Sequence, residues 1–375
     1  MPAPTMPLAV LTHEFFPYRG GIAVYAEETA RAAAAGRAVK VWAPDNIELR
    51  AKKWPFLIQP VPMRGTLGWG CRLAMARAVD AARGELAQSL VWLPEPGALL
   101  TAMYLHALGR LPARRLVLTL HGSEILRFAG RPNRRWLFQK LLDRADRVGV
   151  VSEFNRELLR KYFRVEAEKI VLVPGALRSD FPEKMPPRAR KATDAPVTLL
   201  TVGRVHPRKG QHCVLEALAQ MNPPLRAKLE YIIAGPVVKQ AYQRRLETLA
   251  KNCGVAVKFL GGVPDAALPA WYAQADIFVM TPVPHGPSVE GFGLVYLEAA
   301  AAGLPAIAHR TGGVAEAVRD GVTGLLVEPN DRRGLGEAIR ALAEDAPRCA
   351  ELAAAGAARV RELSWAWNVE ALFGP

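Results

Sequence analysis

Cysteine is scarce in this chain and shows no pattern. Cys71, Cys213, Cys253 and Cys349 lie far apart, with no CxxC or Cys/His spacing. This excludes a disulfide-framed secreted scaffold and a zinc module, and it predicts buried thiols in a reducing compartment. No run of about 18 apolar residues occurs, so no membrane-crossing helix is expected. The opening MPAPTMPLAVL has no basic stretch and no long apolar run, so no signal peptide is expected. No metal-ligand cluster is visible and no metal cofactor is expected. RNA- and DNA-binding motifs are absent, and nucleic acid is not an expected partner. Repeats and low-complexity arrays are missing as well.

What is present suits a large folded protein. The 375 residues are enough for two domains of ordinary size, and half of them are hydrophobic. The net charge of +14 is uneven. Residues 1–180 hold 27 Lys/Arg against 16 Asp/Glu, a balance of +11, while residues 181–375 hold 22 against 19, a balance of +3. The first half is the one expected to meet an anionic partner.

Short apolar strands alternate with helical spacing along the whole chain. Strands are predicted at Leu8–Thr12, Val39–Ala43, Ser89–Leu93, Leu116–Leu120, Val148–Val151 and Ile170–Val173. A second series follows at Val197–Val202, Glu230–Ala234, Val257–Leu260, Ile277–Met280, Pro305–Ala308 and Gly324–Val327. Asp180–Pro196 is rich in Pro, Lys and Arg and reads as a linker. The fold class is therefore α/β, with two Rossmann-like parallel-sheet lobes at 1–180 and 181–362. In such a pair of lobes a ligand is expected between them, at the strand C-termini.

The most informative stretch is Glu290-Gly-Phe-Gly-Leu-Val-Tyr-Leu-Glu298, two glutamates eight positions apart across a glycine turn. Gly291 and Gly293 can take positive φ and let a ligand approach bare backbone. The helix that follows offers unpaired N–H groups to an anion. A carboxylate repels phosphate but accepts hydrogen bonds from a vicinal diol. A phosphate at the turn with hydroxyls on either side is the layout of a nucleoside diphosphate sugar.

Two other loops fit that ligand. Gly20-Gly21 follows the first strand and can close backbone amides on a phosphate or sugar. Gly203-Arg-Val-His-Pro-Arg-Lys-Gly210 follows the strand Leu199–Val202, and Arg204 and Lys209 can bracket a diphosphate. It is not a P-loop, since Gln211 stands where a magnesium-binding hydroxyl would be. Thr311-Gly-Gly313 with Glu316 adds a further glycine turn.

The segments FFPYRGG, GR-x4-KGQ, EGFGLVYLEAAAAGLPAIAHRTGGVAEAV and GVTGLLVEP resemble the GT4 family of retaining glycosyltransferases. The resemblance spans about residues 7–370, with the motifs in family order. THGSE, VSEFNRELLRKYF and SVEGFGLVYLEA are similar to the bacterial phosphatidylinositol mannosyltransferases. The resemblance implies the GT-B fold, with an acceptor-binding first lobe and a donor-binding second lobe. It implies that Arg204 and Lys209 hold the donor diphosphate and that Glu290 binds the sugar hydroxyls. It further implies that the amides of Phe292, Gly293 and Leu294 contact sugar or phosphate and that Glu298 binds the ribose. Gly20 and Gly21 would approach the phosphate, with Gly203 at the start of the cationic loop. His121 would lie beside the reacting sugar, and the backbone at Gly262, Val263 and Pro264 would read the base. No protein nucleophile and no metal are implied. The last piece, 363–375, is similar to a helix that packs back on the first lobe, with Trp365, Trp367 and Phe373 as packing residues.

GDP-mannose is the favoured donor, with a lipid-linked or glycan acceptor. A UDP-glucose or UDP-N-acetylglucosamine enzyme is the alternative. A nucleotide-sugar epimerase and an inactive sugar-nucleotide-binding protein are further alternatives. Arg127, Arg131, Arg134, Arg135, Lys140, Arg144 and Arg147 alternate with Leu126, Phe128, Trp136, Leu137, Phe138, Leu141 and Leu142. This basic, aromatic stretch, 127–147, is the candidate contact with an anionic membrane surface. The expected location is cytoplasmic, peripheral at the inner face of the membrane.

Overall fold

A computed structural model of the protein describes residues 5–18, 20–186 and 195–374. Residues 187–194, the middle of the expected linker, lie outside them. The chain divides into two compact units, Met1–Arg178 with Ser364–Pro375, and Ser179–Leu363. Each unit is built on one parallel sheet.

The first unit contains β1 (Leu8–Leu11), β2 (Val39–Pro44), β3 (Leu57–Val61), β4 (Leu90–Leu93), β5 (Arg115–Leu120), β6 (Arg147–Val150) and β7 (Ile170–Leu172), in the order β3-β2-β1-β4-β5-β6-β7. The second contains β8 (Val197–Val202), β9 (Leu229–Ala234), β10 (Ala256–Gly261), β11 (Ile277–Met280), β12 (Ala306–His309) and β13 (Gly324–Val327), in the order β10-β9-β8-β11-β12-β13. Central strands such as β1, β4 and β11 are buried at every position, because helices cover both faces of the sheet. That is why they are continuous apolar runs in the sequence. The edge strands β3 and β10 instead begin with alternating exposed and half-buried residues. β3 is absent from the sequence-based strands because Pro60 interrupts it, and an edge is where a sheet tolerates proline.

Each sheet has one place where the order reverses. In the first unit it lies between β1 and β4, and in the second between β8 and β11. In open α/β sheets the ligand crevice lies outside the strand C-termini at such a reversal.

The helix Trp365–Phe373 packs on β6, β7 and the helix Gly21–Ala34, within the first unit. Its last carbonyls accept from three arginines: Ala371 from Arg147 at 2.8 Å, Phe373 from Arg37 at 3.2 Å and Gly374 from Arg115 at 3.1 Å. Cations at a helix C-terminus satisfy orphan acceptors and suit its dipole. Trp365 and Phe373 are buried, whereas Trp367 is exposed, so only two of the three expected packing residues pack.

The basic stretch also differs from expectation. It forms two helices, Ser123–Ala129 and Pro132–Arg144, followed by β6. Phe128, Phe138, Leu141 and Leu142 are buried in the first unit's core, which leaves Trp136 as the large exposed apolar group, with Lys140 4.2 Å over its ring. Arg144 donates to Asp146 and the Ala113 carbonyl, and Arg147 to the Ala371 carbonyl, so these two serve internal contacts. The four cysteines are unpaired, three of them buried and Cys349 half-buried. No helix among the described residues is long and apolar enough to cross a membrane.

Candidate functional site

In the second unit, the loops after β8 and β11 meet at the reversal. Gly210 makes this possible, because it takes φ 73° and a Cβ there would fall 1.6 Å from the Thr281 carbonyl oxygen. The Thr281 hydroxyl donates to the Gly210 carbonyl at 2.9 Å, and the Val283 amide donates to the Arg208 carbonyl at 2.9 Å.

Glu290 is the centre of this contact. Its Oε2 accepts from Lys209 Nζ at 2.8 Å and from the Arg208 guanidinium. Its backbone carbonyl accepts from the Gly313 amide at 3.0 Å, so the glycine turn after β12 braces it from behind. Burial opposes ionisation of Glu290, but Lys209 and then Arg208 outweigh it and hold the carboxyl at about 2. Burial lowers the Lys209 ammonium, against the pull of Glu290. Arg208 is the partner that sequence reasoning missed. Arg204, the other expected cation, is exposed beside the clasp and takes no part in it.

Of the two glycines in the turn, Gly293 takes the left-handed conformation, with φ 102°, as N-cap of the helix Leu294–Ala301. Phe292 is buried and Leu294 half-buried. Glu298 lies in the second turn of that helix and accepts from the Tyr272 hydroxyl at 2.8 Å. The two glutamates therefore have separate hydrogen-bonding partners. The half-buried Gly203 donates its amide to the Ala234 carbonyl at 2.8 Å. Val263 and Pro264 follow edge strand β10, at the same end of the sheet. His309 ends β12, hydrogen-bonds the Pro282 carbonyl at 3.1 Å through Nδ1, and has its pKa lowered to about 4 by burial.

In the first unit, Gly20 is extended, with φ −144°, and caps the helix that begins at Gly21. A Cβ at either glycine would meet nothing within 4 Å, so neither backbone conformation nor internal packing asks for glycine there. Free space over bare amides is what a close ligand approach requires. His121 ends β5. Its Nε2 donates to the Pro94 carbonyl at 2.9 Å, and its ring packs edge-on to Tyr25 at 5.2 Å. Burial lowers its pKa, while Glu124 and the Pro94 carbonyl act in the opposite direction.

The reversal between β1 and β4 holds a second acid–base cluster that sequence reasoning missed. Glu95 caps the helix Pro96–Ala107 and accepts from the amides of His13 at 2.9 Å, Gly97 at 2.5 Å and Ala98 at 2.6 Å. Burial pushes it up to about 7, and the three amides limit the rise. His13 hydrogen-bonds the Thr66 carbonyl through Nδ1 at 2.8 Å, and burial brings its pKa down to about 4. A groove lined by Phe163, Arg164 and Lys169 opens instead toward the N-terminal end of β7, away from the β1/β4 reversal.

Two family models cover almost the whole chain. "Glycosyltransferase Family 4" matches residues 19–180 and "Glycosyl transferases group 1" matches residues 184–359. The chain belongs to the family 4 glycosyltransferases and is a glycosyltransferase. The GDP-mannose-dependent alpha-(1-6)-phosphatidylinositol monomannoside mannosyltransferase of Mycolicibacterium smegmatis is 31% identical over 376 residues, which is 96% of this chain and 95% of that protein. The D-inositol 3-phosphate glycosyltransferase of Geodermatophilus obscurus is 37% identical over 247 residues, 62% of this chain and 53% of that protein. Among solved structures, Anabaena HepE in complex with UDP-glucose superposes with a TM-score of 0.76 at 21% identity, covering 97% of each chain. The fold of the two units is GT-B.

Proposed function

We propose that the protein transfers mannose from GDP-mannose to a lipid-linked acceptor with retention of configuration. The observation that carries this is the Lys209–Glu290–Arg208 clasp at the β8/β11 reversal, in a chain 31% identical to a GDP-mannose-dependent enzyme over 96% of its length. In this reading Arg204 and Lys209 take the donor diphosphate, and Lys209 leaves Glu290 to do so. Glu290 then turns its carboxylate to the sugar hydroxyls. The amides of Phe292, Gly293 and Leu294 take sugar or phosphate, Glu298 the ribose, and the backbone at Val263 and Pro264 the base. Gly203 keeps the cationic loop close to the sheet. In the first unit, Gly20 and Gly21 serve the phosphate and His121 the sugar.

The chemistry is electrostatic. The bond from C1 to the phosphate oxygen breaks as the acceptor oxygen bonds C1 from the same face. The acceptor proton passes to the departing phosphate. Fixed cations at the leaving group stabilise the charge that develops there. The same cations take the place of a divalent ion, so transfer should persist in EDTA.

Arg131, Arg135, Lys140 and Trp136 are the exposed remainder of the basic stretch. They are proposed to rest on an anionic bilayer at the cytoplasmic face. Vesicles with anionic lipid should bind the protein and neutral vesicles should not. Equal binding to both would remove this part of the proposal.

The donor is tested by thermal shift with GDP, UDP and ADP, followed by transfer from GDP-mannose to phosphatidylinositol monomannoside. Ligand that binds only the folded state raises the melting temperature. GDP should stabilise most. Stabilisation by UDP alone would overturn the GDP-mannose reading, and stabilisation by none would overturn the donor site.

A further inference from the structure

The loop from β1 to the helix Gly21–Ala34 has an aromatic side and a bare end. The bare end is Gly20-Gly21. This pair has no side chain to anchor it, and a Cβ at either glycine would meet nothing within 4 Å. Its anchors lie before and after it. Before it, Phe15 is fully buried, and the Tyr18 amide donates to the Phe15 carbonyl at 3.0 Å. After it, the helix supplies Glu27 and Arg31, one turn apart on one face.

Both sides meet on Trp54, in the connection between β2 and β3. Phe15 packs on the indole at 5.4 Å between ring centroids, Phe16 meets it edge-on at 5.7 Å, and Phe56 stacks on it at 5.3 Å. From the helix, the Arg31 guanidinium lies 4.9 Å from the indole centroid. Lys52 closes the arrangement, with Nζ 4.5 Å from the Trp54 ring and 4.4 Å from the Phe16 ring. Glu27 Oε1 accepts from Lys52 at 2.9 Å and from Arg31 at 2.9 Å, so one largely buried carboxylate fixes both cations over the rings. The indole is itself held, because its Nε1 donates to the Leu49 carbonyl at 2.9 Å. Edge-to-face rings and cations over ring faces have preferred geometries, so the cluster sets an orientation as well as filling a volume.

We propose that Trp54, braced by Lys52 and Glu27, is a positioning residue for transfer: it holds the Gly20 and Gly21 amides where the departing phosphate needs them. The inference rests on the proposed phosphate role of the glycine pair. It adds that the pair is placed by a residue outside its own loop. Loss of the indole should cost rate rather than donor affinity, because in the same reading the base, ribose and cationic contacts belong to the second unit.

The test combines amide hydrogen exchange in the full chain, read on peptides carrying Gly20 and Gly21, with GDP-mannose transfer kinetics. Trp54→Leu should speed exchange about tenfold and lower kcat about tenfold, with donor KM and GDP affinity changed by less than about twofold. Trp54→Phe, which keeps a ring for Phe15 and Phe16, should recover most of both. Lys52→Met leaves the rings in place and Glu27 paired with Arg31. It should move exchange and kcat in the same direction by roughly threefold, and it reads the same contact if Trp54→Leu fails to fold. Gly21→Ala separates this inference from the glycine reading. If the indole acts through the glycines, Gly21→Ala and Trp54→Leu should be non-additive, the double variant losing little more kcat than the slower single one. Losses that multiply, a Trp54→Leu enzyme at full rate where Gly21→Ala is slow, or unchanged exchange in both Trp54→Leu and Lys52→Met would overturn the positioning role. Faster exchange with full kcat in both Trp54→Leu and Gly21→Ala would remove the glycine pair from the phosphate and leave Trp54 as the anchor of the loop alone.

Discussion

The two sheets reverse their strand order at equivalent places, and each reversal carries a glutamate that joins two loops. The glutamates are held differently. Among the described residues Glu95 accepts from neutral groups alone, three backbone amides, and burial pushes it up to about 7. Glu290 accepts from Lys209 and Arg208, and their charges hold it at about 2. A carboxylate tied to amides fixes the start of a helix and has nothing to exchange. A carboxylate tied to two cations can release one of them to a phosphate and still keep its charge. The same topological position therefore serves structure in one unit and, as proposed, chemistry in the other.

The largest effect should come from removing the clasp. Lys209→Ala and Glu290→Ala should each lower kcat by roughly 100- to 1000-fold, since each deletes fixed charge at the leaving group or sugar. Melting temperatures should move far less than activity. The equivalent change in the first unit, Glu95→Ala, should do the reverse, unseating a helix cap and leaving three buried amides without an acceptor. Comparable activity losses from Glu95→Ala and Glu290→Ala, at full folding, would erase the distinction between the two reversals.

Arg208 should give a smaller and more diagnostic effect. With Arg208→Met, Lys209 alone faces Glu290, and the carboxyl pKa should rise from about 2 toward its ordinary range. kcat should fall about tenfold, and the acid limb of the kcat/KM profile should move to higher pH. Arg208→Lys should restore most of the profile. The sign for stability is also set. Glu290 is depressed below its ordinary value of 4.5, so its contribution is present above that pH and is lost as pH falls toward 2. An unchanged acid limb in Arg208→Met would show that Lys209 suffices.

Much of this was legible in the sequence because strand C-termini mark where chemistry gathers. The glycine turn, Lys209, Arg204 and both glutamates follow apolar runs that can only be buried strands. Arg208 was not legible. The 3-10 turn Pro207–Lys209 brings two consecutive cations onto one carboxylate, and no strand or helix period signals that geometry. His13 and Glu95 are 82 positions apart, and their contact depends on β1 and β4 being neighbours. The packing role of Trp367 comes from the family resemblance, and a resemblance to a helix does not say which of its faces each residue takes; Trp365 and Phe373 are buried and Trp367 is exposed.

The smallest expected effect is thermodynamic and lies in the first unit. Glu95 is raised from 4.5 to about 7 and His13 is lowered from 6.5 to about 4. Folded Glu95 holds a proton that the unfolded chain releases between those values, so its contribution to stability falls as pH rises from 4.5 to about 7. Folded His13 lacks a proton that the unfolded chain holds below 6.5, so its contribution rises with pH over about 4 to 6.5. The two slopes oppose each other across most of this range. Glu95→Gln removes one slope and keeps an acceptor for the amides. Relative to the variant, the wild type should therefore lose on the order of 3 kcal/mol between pH 4.5 and 7. Denaturant unfolding at several pH values reads this difference directly. A difference that stays flat would mean that the three amides keep Glu95 ionised, and the contrast between the two glutamates would then rest on their partners alone.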